Sequence, residues 1–556
     1  MSTEKHSSES SHSGAVTPVE SPKAPPSSTQ PSTKPAVTVS STKFALIMCS
    51  IWIGNFVAFF NETDATASMH VIGKQFNSEN NQNWIATAYL LGFTVTQTLL
   101  GKFSDVFGRG RVFNATLFIF ACGTLWAGLA ESMRSLIGAR VLQGIGAAGR
   151  QTVGVIVIID LTTPYTRGFW LGFFNLSLSL GIAFGPVIGA VVSIHTTWRW
   201  LFWITLILIG STFCIAATAM NYPVPHRKQG VGIVAQLKDV DWVGCVLAVF
   251  IAALICIPVE MGNKEFAWAS APIIVMFVLG AALMPIFVIY ELRYAKNPIV
   301  DMHLFKLHNV QIAVIINFLT GAANFGTIFF LPRYFIDIKN SSLINESYQL
   351  FGLTLSVGVA SVFGANLISQ SGQMRLVGLL GAILYTLGSG LMLSVNAATS
   401  SAVVIVFSAF WGMGTGVLYQ PSMVVGPMSV KPDQIAGISG FLAFLRTLGG
   451  TFSTALLTSI FETSFTSTLR GVVPDDLLSQ GLGLADNHLL YPQYSDTIVA
   501  ALVKAFHLGT IPTIVFGVVY GGAVVLLKGL DFVPAWRKKQ IEAAQVRAEA
   551  EGGEKA

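Results

Sequence analysis

The chain has 556 residues, of which 52% are hydrophobic and only 11% charged, with a mean hydropathy of +0.63. Soluble domains carry about 25% charged residues, so this composition excludes a water-soluble globular protein and points to a chain that crosses a bilayer many times. The net charge of +5 does not indicate nucleic acid, because the cations sit in short loops between apolar runs.

Residues 1–42 are rich in Ser, Thr and Pro and carry too little apolar surface to fold. They lack the apolar core and cleavage site of a signal peptide and read as a disordered cytosolic tail. A span needs about 20 apolar residues. That ruler marks segments near 44–61, 85–101, 113–130, 136–159, 169–193, 200–220, 242–259, 271–290, 311–334, 350–369, 376–394, 402–427, 437–460 and 506–527. The fold class expected is therefore all-α and polytopic, with 14 transmembrane helices and both tails on one side. Cations such as Lys102, Arg111, Arg167, Arg227, Lys306 and Arg375 gather on the tail side, which makes that side cytosolic. The triplets beginning at Asn340 and Asn345 then face outward, where N-glycosylation is possible. The segment 462–504 forms a long outer loop, with 497–506 a helix lying on the surface. Residues 531–556 form a charged cytosolic tail. Cys49, Cys122, Cys214, Cys245 and Cys256 all lie in apolar runs without metal-ligand spacing and read as small core residues.

Four stretches carry chemistry. The first span ends in Asn61-Glu-Thr-Asp-Ala-Thr66, which offers two carboxylates, Glu62 and Asp64; a partly buried carboxylate is suited to take up and release a proton. Gly101-Lys-Phe-Ser-Asp-Val-Phe-Gly-Arg-Gly-Arg111 is a glycine-punctuated basic loop at a membrane boundary, with Asp105 among the cations. The fourth span holds Leu136-Ile-Gly-Ala-Arg-Val-Leu-Gln-Gly-Ile-Gly-Ala-Ala148. It places Arg140 inside hydrocarbon, at an insertion cost of about 2.5–3.5 kcal/mol, with Gln143 about one turn further on the same face. The fifth span holds Gly181-Ile-Ala-Phe-Gly-Pro-Val-Ile-Gly189, whose small residues allow close helix contact and whose Pro186 is placed to kink the helix. Trp198-Arg-Trp-Leu-Phe-Trp203 follows as an aromatic belt.

The 101–111 loop resembles the Gly-x-Leu-x-Asp-Arg-x-Gly-Arg-Lys signature of major facilitator transporters. Gly101, Asp105, Gly108 and Arg109 match, whereas Phe103, Val106 and Gly110 depart from it. The fourth-span segment resembles the family's Arg-x-x-Gln-Gly-x-Gly-Ala motif, and the fifth its antiporter motif, with Gly181, Gly185, Pro186 and Gly189 in place and Ala190 replacing the last glycine. Asn61–Thr66, followed by Trp84-Ile-Ala-Thr-Ala-Tyr, is similar to the start of fourteen-span drug:proton antiporters of the fungal toxin or multidrug type. The resemblance implies a major facilitator fold: two six-helix halves (43–220 and 311–530) with a cytosolic loop and two extra helices between them (221–310). It also implies proton coupling through Arg140, Gln143 and either Asp64 or Glu62, and a gating loop of Gly101, Asp105, Gly108, Arg109 and Arg111.

A degenerate copy of the gating loop, 364–375, supports an internal repeat, and Asn317, Asn324, Tyr419 and Gln420 are the candidate substrate contacts between the halves. The function implied is proton-coupled export of small amphipathic, often cationic molecules by a monomer, with no metal or cofactor. Relatives of the same layout carry basic amino acids into vacuoles, or siderophores. The plasma membrane is the expected location and the vacuole the alternative. No Gly-x-x-x-x-Gly-Lys-Ser/Thr loop for ATP and no catalytic constellation stands in the sequence, so neither a primary pump nor an enzyme is expected.

Overall fold

Water is absent from the hydrocarbon layer, so each backbone N–H and C=O must be satisfied within the chain, and apolar runs of this length become helices. The computed structural model describes residues 37–78, 81–221, 240–262, 266–341, 343–431, 434–470, 472–474 and 493–529, and their regular structure is helical. The first group comprises α1 (Ser41–Ala67), α2 (Met69–Gln75), α3 (Trp84–Phe107), α4 (Arg109–Gly128), α5 (Met133–Leu161), α6 (Pro164–His195) and α7 (Arg199–Ala219). Two further helices follow, α8 (Trp242–Met261) and α9 (Ala271–Arg293). The last group comprises α10 (His308–Arg333), α11 (Leu343–Gln349), α12 (Phe351–Ser371), α13 (Met374–Met392), α14 (Ser401–Met428), α15 (Ile435–Leu469) and α16 (Ser495–Val525). Serine and threonine hydroxyls close several of the helix starts. Ser132 accepts the Ser135 N–H at 3.3 Å and Thr163 the Thr166 N–H at 3.3 Å.

Among the described residues, 12 helices are long and apolar enough to cross a membrane. The expected segments 85–101 and 113–130 lie on α3 and α4, which have spanning length, 24 and 20 residues. They fall short on composition because they carry Gln97, Lys102 and Asp105, and Arg109 and Arg111. Both pack on α5, so part of this polarity is sheltered inside the bundle.

The packing is built twice. α1 packs on α6 and α7, α3 and α4 flank α5, and α4 also meets α7. In the same way α10 packs on α15 and α16, α12 and α13 flank α14, and α13 also meets α16. The break between the second and third long helices falls in both groups on a glycine with positive φ, Gly108 at 97° and Gly372 at 71°, where a Cβ would be strained. The groups meet along α3–α15 and α6–α12, while α8 and α9 pair with each other and α8 leans on α3.

Several expectations change. The 101–111 stretch is mostly helix: α3 continues through Phe107, Gly108 alone makes the turn, and α4 starts at Arg109. Its backbone hydrogen bonds are met by continuing the helix rather than by a loop. Residues 497–506 are the opening turns of α16, with Ile498, Ala501, Leu502 and Phe506 buried, rather than a surface helix. Trp198 is buried and donates to Gln75 Oε1 at 2.6 Å, so the aromatic run serves partly as core. None of the five cysteines is in a disulfide; Cys245 and Cys256 are buried, but Cys49 and Cys214 are exposed on the helix walls. Most of the tails, the 222–239 loop with Arg227, and 475–492 of the outer loop lie outside the described residues.

Candidate functional site

α1 runs two turns beyond the apolar segment read from the sequence and carries Glu62 and Asp64 into the bundle, 4% and 0% exposed. Glycines on α6 make this possible. A Cβ at Gly181 would stand 2.6 Å from the Phe56 carbonyl oxygen, and one at Gly185 would stand 1.9 Å from Thr63 Oγ1. One at Gly189 would stand 2.7 Å from the Asp64 carbonyl oxygen. The three glycines therefore form a groove that seats α1 backbone against backbone, with Thr63 and Asp64 at its far end.

Arg140, on α5, is fully buried. Its Nη1 donates to Asn61 Oδ1 at 2.8 Å and to Gln143 Oε1 at 2.9 Å, and its Nε to the Ile85 carbonyl at 2.9 Å. Gln143 Nε2 donates in turn to Thr124 Oγ1 at 2.9 Å, and the guanidinium lies 4.4 Å from the Tyr89 ring centre. Arg140 and Gln143 together thereby tie α1, α3, α4 and α5 to one another. Its Nη2 is buried without a hydrogen-bond partner, and so are both carboxylate oxygens of Asp64. Arg140 is within electrostatic reach of both Asp64 and Glu62. Native cores pair nearly all such atoms, so this is one of the places where the bundle keeps unused hydrogen-bonding capacity, with a buried cation and a buried carboxylate side by side.

At the tail-side end, Arg109 bridges two acids. It meets Asp105 Oδ1 at 2.5 Å and Asp160 Oδ2, at the end of α5, at 3.0 Å, and donates to Ser104 Oγ at 3.1 Å. Gly101 lies within α3 and faces α15, where a Cβ would come 3.0 Å from the Ala436 carbonyl. Arg111 is exposed. Asp160 was not singled out in the sequence, because it closes a long apolar helix with no motif around it.

In the second group, Asn317, Asn324 and Tyr419 come together near Arg446. Arg446 Nη1 donates to Asn317 Oδ1 at 3.3 Å and stacks 5.5 Å from the Tyr419 ring, whose hydroxyl accepts from Asn324 at 3.1 Å. Gln420, one residue on, points elsewhere and donates to Ser361 Oγ at 2.7 Å, the atom that also accepts from Asn175 of α6 at 3.1 Å. A second contact across the groups runs from Thr447 Oγ1 to Gln97 Oε1 at 3.2 Å. Arg150, buried and donating to the Gly54 carbonyl at 2.8 Å, is a further buried arginine. Only its position inside an apolar run could have signalled it. Asn340 and Asn345 are both exposed.

The larger cavity, about 250 Å³, opens between the groups at the end opposite Gly108. It is lined by Thr66, Thr87, Thr447, Thr451, Thr454 and Thr458, by Phe325 and Phe329, and by Arg333. None of the four substrate contacts named from the sequence lines it; Asn317 borders a much smaller space of about 20 Å³ nearer the tail side. Ala86 and Thr87 form part of its wall. The preceding residue, Ile85, gives its carbonyl to Arg140, so the buried network lies directly behind the cavity.

Residues 51–454 match the family model described as Major Facilitator Superfamily. The chain is 27% identical over 386 residues to the MFS transporter L2 of Phoma sp., a match covering 69% of this chain and 64% of that protein. It is 26% identical to the efflux pump dotC of Dothistroma septosporum (79% of this chain, 75% of the relative). It is 25% identical to the efflux pump aflT of Aspergillus parasiticus (85% and 94%). The fold is similar to that of the proton:xylose symporter XylE, with a TM-score of 0.55 at 12% identity, covering 88% of this chain and 95% of that one. It is also similar to a bacterial homolog of the human lysosomal transporter Spinster, with a TM-score of 0.51 at 14% identity, covering 89% and 100%.

Proposed function

We propose that this chain, which belongs to the major facilitator superfamily, is a secondary transporter that exports small amphipathic molecules from the cytosol in exchange for protons. The family membership and the curated relatives named as efflux pumps support export. The observation that carries the proton coupling is the buried pair of unsatisfied groups, Arg140 Nη2 and the Asp64 carboxylate, set directly behind the cavity between two repeated groups of helices. Protonating Asp64 removes a buried charge, and releasing the proton restores its attraction to Arg140. Each protonation state then favours a different seating of α1 against α5, and α1 is the helix held in the glycine groove of α6. Glu62 is the second carboxylate available for this role.

The two groups act as rocking halves, 43–220 and 311–530, with 221–310 inserted between them. In the arrangement described, contacts on the tail side are tight: a Cβ on Gly172 of α6 would come 2.9 Å from the Val362 Cα of α12. The Asp105–Arg109–Asp160 bridge ties the ends of α3, α4 and α5 together there, within the first group, and so braces the end of α3 that meets α15 on this closed side. With both termini cytosolic, the cavity faces outward, as it must to release an exported molecule. The plasma membrane is the proposed location. One proton moving down about 100 mV supplies roughly 2.3 kcal/mol, and one pH unit adds about 1.36 kcal/mol. Coupled one to one, this sustains a gradient of a few hundredfold.

The test is efflux from cells carrying the full chain, preloaded with neutral, acidic and cationic aromatic compounds, a ferric siderophore or a basic amino acid. Energy-dependent loss of an aromatic compound, abolished by a protonophore, is the expected result. Movement of lysine or arginine alone would overturn the reading in favour of an amino-acid carrier.

A further inference from the structure

The cavity between the helix groups has an uneven chemistry that points to its occupant. Its polar lining is almost entirely hydroxyl and amide: the six threonines together with Asn83. Phe325 and Phe329 lie on its wall with their rings nearly parallel, at 9° and 6.3 Å between centres. Gly450 of α15, also in the lining, lets Phe325 lie flat, because a Cβ there would come within 2.4 Å of the ring. Among the lining residues Arg333 is the single charged group, and no carboxylate is present. Arg333 touches Asp337 through Nη1 at 3.4 Å, a long contact, while a guanidinium offers five donors. Asp337, the buried partner of Arg333, stands behind the wall rather than in it, and Glu62 and Asp64 lie in the core within reach of Arg140.

We infer that the cavity binds a flat, conjugated, oxygen-bearing molecule that is neutral or anionic, with an acidic group held by Arg333, and that it disfavours cationic amphiphiles. Threonine hydroxyls both donate and accept, so they suit carbonyl, hydroxyl and ether oxygens at varied positions. Parallel phenyl rings suit a planar ring system. A cation would meet Arg333 from the cavity side, where no carboxylate lines the wall and the one acid at hand, Asp337, is buried and already paired with Arg333, a like-charge contact of the kind that sets specificity. The inference rests on the transporter reading and replaces the cationic substrate expected from the sequence. Arg333 becomes its specificity-determining residue.

Three anthracenes of nearly one shape test it: 9-anthracenecarboxylate, 9-anthracenemethanol and 9-(aminomethyl)anthracene as its ammonium form. Saturable binding to the purified full chain in non-ionic detergent at neutral pH is read from probe fluorescence. The carboxylate is expected to bind at least about tenfold more tightly than the ammonium, in line with a charge-assisted hydrogen bond. Arg333→Gln is expected to remove most of that advantage while leaving the alcohol within about twofold, and Arg333→Lys to keep part of it. Ammonium binding equal to or tighter than carboxylate binding overturns the inference. So does an Arg333→Gln variant with unchanged carboxylate affinity, or the absence of saturable binding by all three probes. Because binding is read without transport, a protein that pumps yet prefers the ammonium retains the transporter reading and loses this one. A protein that binds the carboxylate selectively yet does not pump shows the reverse.

Discussion

Arg140→Ala is expected to lower gradient-driven efflux on the order of a hundredfold or more while the protein still inserts and purifies. The side chain makes hydrogen bonds to α1 through Asn61, to α3 through the Ile85 carbonyl and to Gln143 on its own helix. Removing one partner from a buried charged network costs about 3–5 kcal/mol, because the remaining groups stay buried without it. Placed on the transport cycle rather than on folding, that loss exceeds two powers of ten in rate. Arg140→Lys is expected to fall between, since an ammonium keeps the charge but cannot reproduce the planar fork that reaches Asn61 and Ile85 together. Initial efflux rates in vesicles, with size-exclusion profiles as a check on folding, measure both variants. An alanine variant that pumps at the wild-type rate would leave Arg140 a structural residue.

Gly185→Val is expected to produce a large loss of stability. Even the first carbon of the new side chain would stand 1.9 Å from Thr63 Oγ1 and 2.8 Å from the Phe60 carbonyl, so α1 and α6 must separate. Overpacking a core costs about 1–3 kcal/mol where side chains can yield, and here half of the obstruction is backbone. The second group offers the matching case, Gly321→Val, whose Cβ would meet the Arg446 carbonyl at 1.6 Å. Gly210→Ala is the control, because nothing lies within 4 Å of that position on α7. Thermal unfolding in detergent should rank Gly210→Ala at or above wild type and both valine variants well below it. Equal midpoints for all three would contradict the seating of α1 and α10 described here.

What the sequence revealed and what it hid follow from range. Apolar runs and glycine spacing are local, so the helices, the buried depth of Arg140 and a close-contact face on α6 could be read directly, whereas the partner of that face, α1, could not. The 101–111 stretch misled because glycine and charge look like a turn, whereas only Gly108 takes a conformation that needs glycine. Asp160 and Arg150 carry no local signal, and they matter through Arg109 and the Gly54 carbonyl, distant in the chain. The substrate contacts were the least legible. Asn317, Asn324 and Tyr419 are polar residues in spans and were chosen for that, but they serve one another and Arg446. The cavity instead uses threonines, which apolar helices carry freely, and Arg333 at a helix end, where an arginine passes as an interfacial anchor.

The central claim is tested most directly by reconstituting the purified chain into sealed vesicles and imposing a pH gradient. Flux of an aromatic substrate is then followed in wild type, Asp64→Asn and Glu62→Gln. Wild-type flux is expected to rise with the gradient and collapse with a protonophore. Asp64→Asn should retain substrate exchange at equal pH on both sides but lose acceleration by the gradient. Wild-type flux that ignores the gradient, or an Asp64→Asn, Glu62→Gln double variant still driven by it, would contradict proton coupling at this site.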